Sequence, residues 1–134
     1  MKKKLIQEVC QSVIALDETI RFAGIADEDG NILGIAEREG LKPIFTPEQR
    51  DLYAITAATR QYTRLRWEYV LGKIHYASSR YAELIRATIP ISDSNGKLIY
   101  VLLLSFDPGI SNLHKIIMKK IIPLIEENTV KLIG

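Results

Sequence analysis

The sequence predicts an α+β domain, a five-stranded antiparallel sheet with helices packed on both of its faces. Three stretches carry that expectation. Residues 84–106 (LIRATIPI, SDSNGK, LIYVLLLSF) read as two strands joined by a short polar turn with Asn95-Gly96 at its tip. The second of these strands is apolar on both parities: Leu98, Tyr100, Leu102, Leu104 and Phe106 alternate with Ile99, Val101 and Leu103. A strand half-exposed to water would alternate with polar residues, so this one belongs in mid-sheet, covered above and below. Finally, Thr46-Pro47-Glu48-Gln49 marks a helix start, with Thr46 as N-cap, Pro47 at the first helical position and Gln49 completing a capping box.

The remaining elements follow in chain order. Residues 3–16 set Leu5, Val9, Val13 and Leu16 at helical spacing, and Ile6, Cys10 and Ile14 widen the stripe. Cys10 falls on the apolar side and reads as a buried, inert thiol. TIRFAGIADEDGNILGIAE is a hairpin of two short strands around residues 27–31, where Gly30 and Asn31 accept positive φ. Asp27 and Asp29 alternate there, but the loop lacks the later ligands and closing glutamate of an EF-hand, so no metal site is assigned. A polar connection over 38–45 leads into the capped helix, which the spacing extends to about Tyr69. Its expected core stripe is Leu52, Ile55, Ala58, Tyr62, Leu65 and Tyr69. A second, rotated stripe carries Tyr53, Ala57, Arg60, Arg64 and Trp67. Val70–Tyr81 reads as an edge strand, because Lys73, His75 and Ser78 lower its apolar content. After the central pair, Asp107-Pro108-Gly109 ends the sheet and Ser111 or Asn112 caps a last helix. Pro123 should kink or divide that helix.

Composition bounds the function classes. One chain of 134 residues makes a single domain, 1–134, with room for a sizeable core. A net charge of +2 is too small to demand a nucleic-acid or membrane partner. The single cysteine excludes an intrachain disulfide framework and a thiolate zinc cluster, which fits a reducing compartment. Gln7, Glu8 and Gln11 interrupt what would be the apolar region of a signal peptide, and no window approaches a transmembrane span. The expectation is a cytoplasmic protein that does not engage a membrane. No GxGxxG, P-loop or HExxH occurs, and neither His75 nor His114 sits in a catalytic motif. No enzyme activity and no cofactor are expected.

The order helix-strand-strand-helix-strand-strand-strand-helix resembles the Roadblock/dynein-light-chain domain, which is close to the longin and profilin folds. In that architecture the last strand is central, flanked by the first and fourth, and the third lies at an edge. Leu98–Phe106 and Val70–Ser79 suit those two places. The resemblance implies a non-catalytic protein–protein interaction module that homodimerises, pairing third strands across a two-fold axis and packing the long helices together. It also implies a platform for a small GTPase or another protein. The surface it points to here comprises Tyr53, Arg60, Arg64, Trp67, Lys73, His75 and Tyr76. Physical chemistry agrees that an edge strand beside an aromatic face tends to be covered, and Arg and Trp are enriched at interface anchors. IRFAGIADEDGNIL and LGKIHYASSRYAELIRATIPI are also similar in texture to a small archaeal family, which would imply an archaeal origin and supplies no chemistry.

Two other readings compete. Arg60, Arg64, Arg66, Lys73, Arg80 and Arg86 are interleaved with Tyr62, Trp67, Tyr69, Tyr76 and Tyr81. Such a surface could hold phosphates by charge and stack bases on rings, making a nucleic-acid or anion-binding protein. Arg86, however, alternates with Ile85 and Ala87 and is expected to face away from them and pair with a neighbouring acid. A small-ligand sensor of the PAS or Cache kind is the other alternative. One long helix where a PAS domain places several short ones counts against it.

Overall fold

The computed structural model describes residues 2–134. Helix α1 (Lys2–Ile14) precedes strands β1 (Ile20–Asp27) and β2 (Ile32–Glu37). Helix α2 (Pro47–Leu65) and the single turn α3 (Glu68–Leu71) follow, then β3 (Ala77–Arg80), β4 (Ile85–Ser92) and β5 (Leu98–Phe106). The chain ends in α4 (Leu113–Ile116), a π-helical turn (Ile117–Ile121) and α5 (Ile122–Ile133). The strands form one antiparallel sheet in the order β2-β1-β5-β4-β3. The strand that is apolar on both faces is central, as its two-sided hydrophobicity requires.

The sheet divides two unequal cores. On one face α1 and the C-terminal helices cover Ile20, Ile25, Ile85, Ile89, Leu102, Leu104 and Phe106. On the other, α2 lies over Ala26, Leu98, Val101 and Leu103. Leu98 shares its face with Val101 rather than with Tyr100 because the ladder slips between Ile91/Tyr100 and Ser92/Leu98. That β-bulge inserts Ile99 and reverses the parity expected from simple alternation.

Both hairpins turn by the same device. Asp27 accepts from the amides of Asp29 and Asn31, and Asp93 accepts from those of Asn95 and Lys97. Each turn ends on a glycine with positive φ, Gly30 at 88° and Gly96 at 82°. The capping box forms as read from sequence: the Gln49 amide donates to Thr46 Oγ1 at 3.1 Å, and Gln49 Oε1 accepts from the Thr46 amide at 3.0 Å. The last helix runs through Pro123 by widening into the π turn just before it, which divides the helix as expected.

Asp107 fastens the end of the sheet. Its carboxylate accepts from Arg38 at 2.9 and 3.0 Å and from Arg21 at 3.2 Å, joining β5 to β1 and to the residue after β2. The Arg38 hydrogen bond, then Arg21, holds the Asp107 carboxyl below the usual carboxylate range against the opposing effect of burial. A carboxyl with a lowered folded pKa stabilises above its unfolded value, about 3.9, and loses that contribution as pH falls through the folded value. Asp107→Asn should therefore lower the urea midpoint at pH 7 by the equivalent of at most about 1 kcal/mol, since these groups meet water. Near pH 2 the difference from the parent should vanish, which paired urea titrations would read.

Candidate functional site

The buried face of α2 coincides with neither expected stripe. Its buried residues are Ala54, Ala57, Ala58 and Gln61. Small side chains let the helix lie close upon the sheet, so the larger apolar residues point outward. Leu52 is 65% exposed, and Ile55 and Tyr62 are also exposed. Of the expected core stripe only Ala58 is buried, with Leu65 half-buried. The helix ends at Leu65, not near Tyr69, and its C-cap Arg66 is followed by the short turn α3. Trp67, Tyr69, Val70 and Leu71 are all exposed there. The result is an apolar surface along the outside of α2 and α3.

The third strand is shorter than the sequence suggested. Val70 and Leu71 belong to α3, Gly72 turns the chain with φ 87°, and pairing spans only Ala77–Arg80. The Glu68 carboxylate accepts from the Ile74 amide at 2.9 Å and holds residues 72–76 out of the sheet. The Tyr81 amide donates to the Leu84 carbonyl. Hydrogen-bonding direction alternates along an antiparallel strand, so Ser78 and Arg80 turn their N–H and C=O groups away from β4. Those groups meet no backbone partner among the described residues.

The opposite edge is treated differently. On β2, the Gln7 side chain donates to the Ile35 carbonyl at 2.6 Å and accepts from its amide at 3.3 Å. A glutamine of α1 thus occupies backbone groups that another strand would use. One sheet edge is blunted and the other is open.

The expected interface residues separate into three groups. Arg60 and Arg64 line a shallow cleft between α2 and β3, with Tyr53, Ala77 and Ser79. Trp67, Lys73 and His75 are exposed between α2 and β3. Tyr76 is half-buried and its hydroxyl lies 2.6 Å from His114 Nδ1. The basic and aromatic residues of 60–86 do not form one surface, because Arg86 is buried beneath α2 while Arg60, Arg66, Lys73 and Arg80 are exposed.

Arg86 is the residue that sequence reading misjudged. It is 7% exposed, on the α2 face with Thr88 and Ser105. No carboxylate pairs with it among the described residues. Its guanidinium carbon stacks 3.8 Å over the Tyr53 ring and 4.9 Å over Phe45. Burial pushes its pKa below the ordinary guanidinium value. The available signal was the alternation that puts Arg86 and Thr88 under the helix carrying Tyr53. Beside it opens a cavity of about 180 Å³ between the 41–45 segment, the start of α2 and the sheet.

His75 is exposed, His114 is engaged with Tyr76, and the buried Cys10 thiol is pushed up to about 12 by desolvation. A thiol so protonated at neutral pH is a poor nucleophile. Among the described residues, no group of three His, Cys, Asp or Glu side chains could hold a metal ion, and no helix is long and apolar enough to cross a membrane.

No protein-family model and no curated protein matches the sequence. Solved structures do match the fold. A Roadblock/LC7 domain from Streptomyces avermitilis superposes with TM-score 0.70 at 8% identity, covering 96% of this chain and 98% of that one. MglB from Myxococcus xanthus gives 0.68 at 16% identity, covering 98% and 92%. The gliding protein MglB from Thermus thermophilus gives 0.65 at 17%, covering 94% and 92%. The fold is therefore Roadblock-like, and the expected strand order and layer arrangement stand.

Proposed function

We propose that this chain is a non-catalytic protein–protein interaction module that works as a homodimer, a scaffold for a small GTPase or another protein. The single observation that supports this reading most is the pairing of an open edge, Ala77–Arg80, with the exposed apolar surface of α2 and α3. A second copy supplies the matching occupant. Two β3 strands related by a two-fold axis can satisfy each other's outward N–H and C=O groups and continue the sheet across both chains. The same operation brings the α2 helices of both copies to one side, where Arg60, Arg64 and Trp67 take part in the contact. Isologous contacts of this kind use one patch twice, which suits a short strand of four residues. The GTPase or other partner is the part of the proposal that rests on the Roadblock-like fold alone.

The expected result for Trp67→Ala combined with Arg64→Glu is a dimer weakened by about tenfold or more, as truncation of an interface anchor commonly costs above 1 kcal/mol. Trp67 is 56% exposed, so the monomer's melting temperature should hardly move. Sedimentation equilibrium with circular dichroism separates the two effects. A variant as dimeric as the parent would remove this surface from the interface.

A further inference from the structure

We propose that the cavity beside Arg86 binds a small organic acid, its carboxylate held by Arg86 and Arg50 and its flat apolar body against Phe22, Phe45 and Leu84. The first observation is the arginine itself. A buried charge is normally paired, because removing it from water without compensation is costly. Arg86 is more than nine-tenths buried, has no carboxylate partner among the described residues, and keeps a buried Nε–H with no hydrogen-bond partner. The Tyr53 and Phe45 rings contact its guanidinium without supplying an acceptor to the Nε–H, which stays unsatisfied.

The second observation is that a second arginine on the same cavity shares this condition. Arg50, from the first turns of α2, also has a buried Nε without a partner. Ion pairs elsewhere in the described residues engage Arg21, Arg38 and Lys120, whereas Arg50 and Arg86 take part in none. Two guanidinium groups without a carboxylate partner on one cavity make an anion site by charge and by planar hydrogen-bonding capacity.

Volume and lining define the class of ligand. At about 180 Å³ the cavity falls below the roughly 300–1,000 Å³ of sites for drug-sized ligands, a size that suits a small acid. Phe22, Pro43, Ile44, Phe45 and Leu84 supply apolar wall, which free inorganic phosphate would not use. The exposed Lys42 also lines the cavity and has no ion pair, Glu37 stands on it and offsets one positive charge, and Arg21 is already committed to Asp107. A monoanionic acid with a small planar body meets all of these conditions. The site does not depend on self-association, since Arg86, Arg50 and the 41–45 segment belong to one chain.

Calorimetric titration of the full chain with benzoate, acetate and inorganic phosphate at matched ionic strength tests the inference. Benzoate should bind saturably at one site per chain, and acetate and phosphate about tenfold or more weakly, lacking the apolar body. Arg86→Gln should lower benzoate affinity at least about tenfold, and Arg50→Gln several-fold, as expected for hydrogen bonds to a charged group. Arg50 is only half-buried, so Arg50→Gln gives a folded reference where Arg86→Gln does not fold. The inference is overturned if benzoate shows no saturable binding or if phosphate binds as tightly. It is equally overturned if Arg50→Gln leaves benzoate affinity unchanged.

Discussion

Ser78→Pro should convert a dimer into a monomer while leaving the fold of each chain intact. The direction of one amide decides the outcome. Tyr81 donates back to Leu84, so within β3 the residues that face β4 are Ala77 and Ser79, and Ser78 donates outward. A proline there removes a donor that the parent chain does not use internally, and edge strands tolerate proline on the solvent side. In a two-fold pair the loss occurs twice, and each missing donor leaves a facing carbonyl without its partner. At about 0.5–1.5 kcal/mol per lost bond, with a further penalty for unsatisfied groups and the ring's bulk, dimer affinity should fall by about 100-fold or more. A chemical-shift map would place the changes in β3, its neighbours and the outer face of α2 and α3 that the second copy had covered. Ser79→Pro makes the contrasting case, because its amide serves the β3–β4 ladder, and it should destabilise the monomer as well.

The second large effect is on folding. Gly30→Ala should destabilise the chain by about 2–5 kcal/mol, against a typical total of about 5–15 kcal/mol. Two causes add. The backbone at Gly30 holds φ 88°, which costs an alanine about 1–2 kcal/mol. A Cβ there would also lie 2.5 Å from Ile55 Cα and 2.8 Å from Ile55 N, atoms of the α2 backbone that cannot swing aside like a side chain. The helix would have to lift from the sheet, a change of the overpacking kind worth about 1–3 kcal/mol. Gly96 separates the causes: it holds φ 82° in the equivalent turn, but nothing lies within 4 Å of its added Cβ. Gly96→Ala should therefore show only the smaller, conformational penalty. Thermal melts would read a fall on the order of 10 °C for Gly30→Ala and distinctly less for Gly96→Ala.

Why the fold was legible and the surface less so comes down to which signals are local. The Thr46–Gln49 capping box and the two hairpin turns are specified by neighbours in sequence; the box forms as read and the turns fall where expected, with positive φ at Gly30 and Gly96 and not at Asn31. The central place of Leu98–Phe106 was also plain, because no half-exposed strand would carry apolar residues on both sides. Helix α2 was harder. Its size-weighted apolar stripe runs through Leu52, Ile55 and Tyr62, yet it docks through alanines, since closeness to the sheet outweighs side-chain area. Hydrophobic periodicity finds a face without saying whether the chain's own core or something else covers it. The span of β3 failed for a related reason. Gly72 and the Glu68–Ile74 hydrogen bond act against β propensity over 70–76, and the second is a contact visible only in three dimensions.

Arg86 shows the limit on the candidate site. Alternation in β4 placed its side chain opposite Ile85 and Ala87, which is where it lies. What it would meet there was inferred from the habit of buried charges to find acids. The structure gives it the rings of Tyr53 and Phe45 instead, brought from the start of α2 and the segment before it. The cavity that follows from this arrangement has no sequence motif.

In the proposed dimer a second copy covers the open β3 edge and the outer face of α2 and α3. Light scattering behind a sizing column, with the parent chain at low and high salt, tests it most directly. The predicted result is a particle of twice 15.2 kDa in both conditions, because backbone pairing and apolar contact are little screened by salt. A particle of 15.2 kDa at every concentration and salt level would contradict the account.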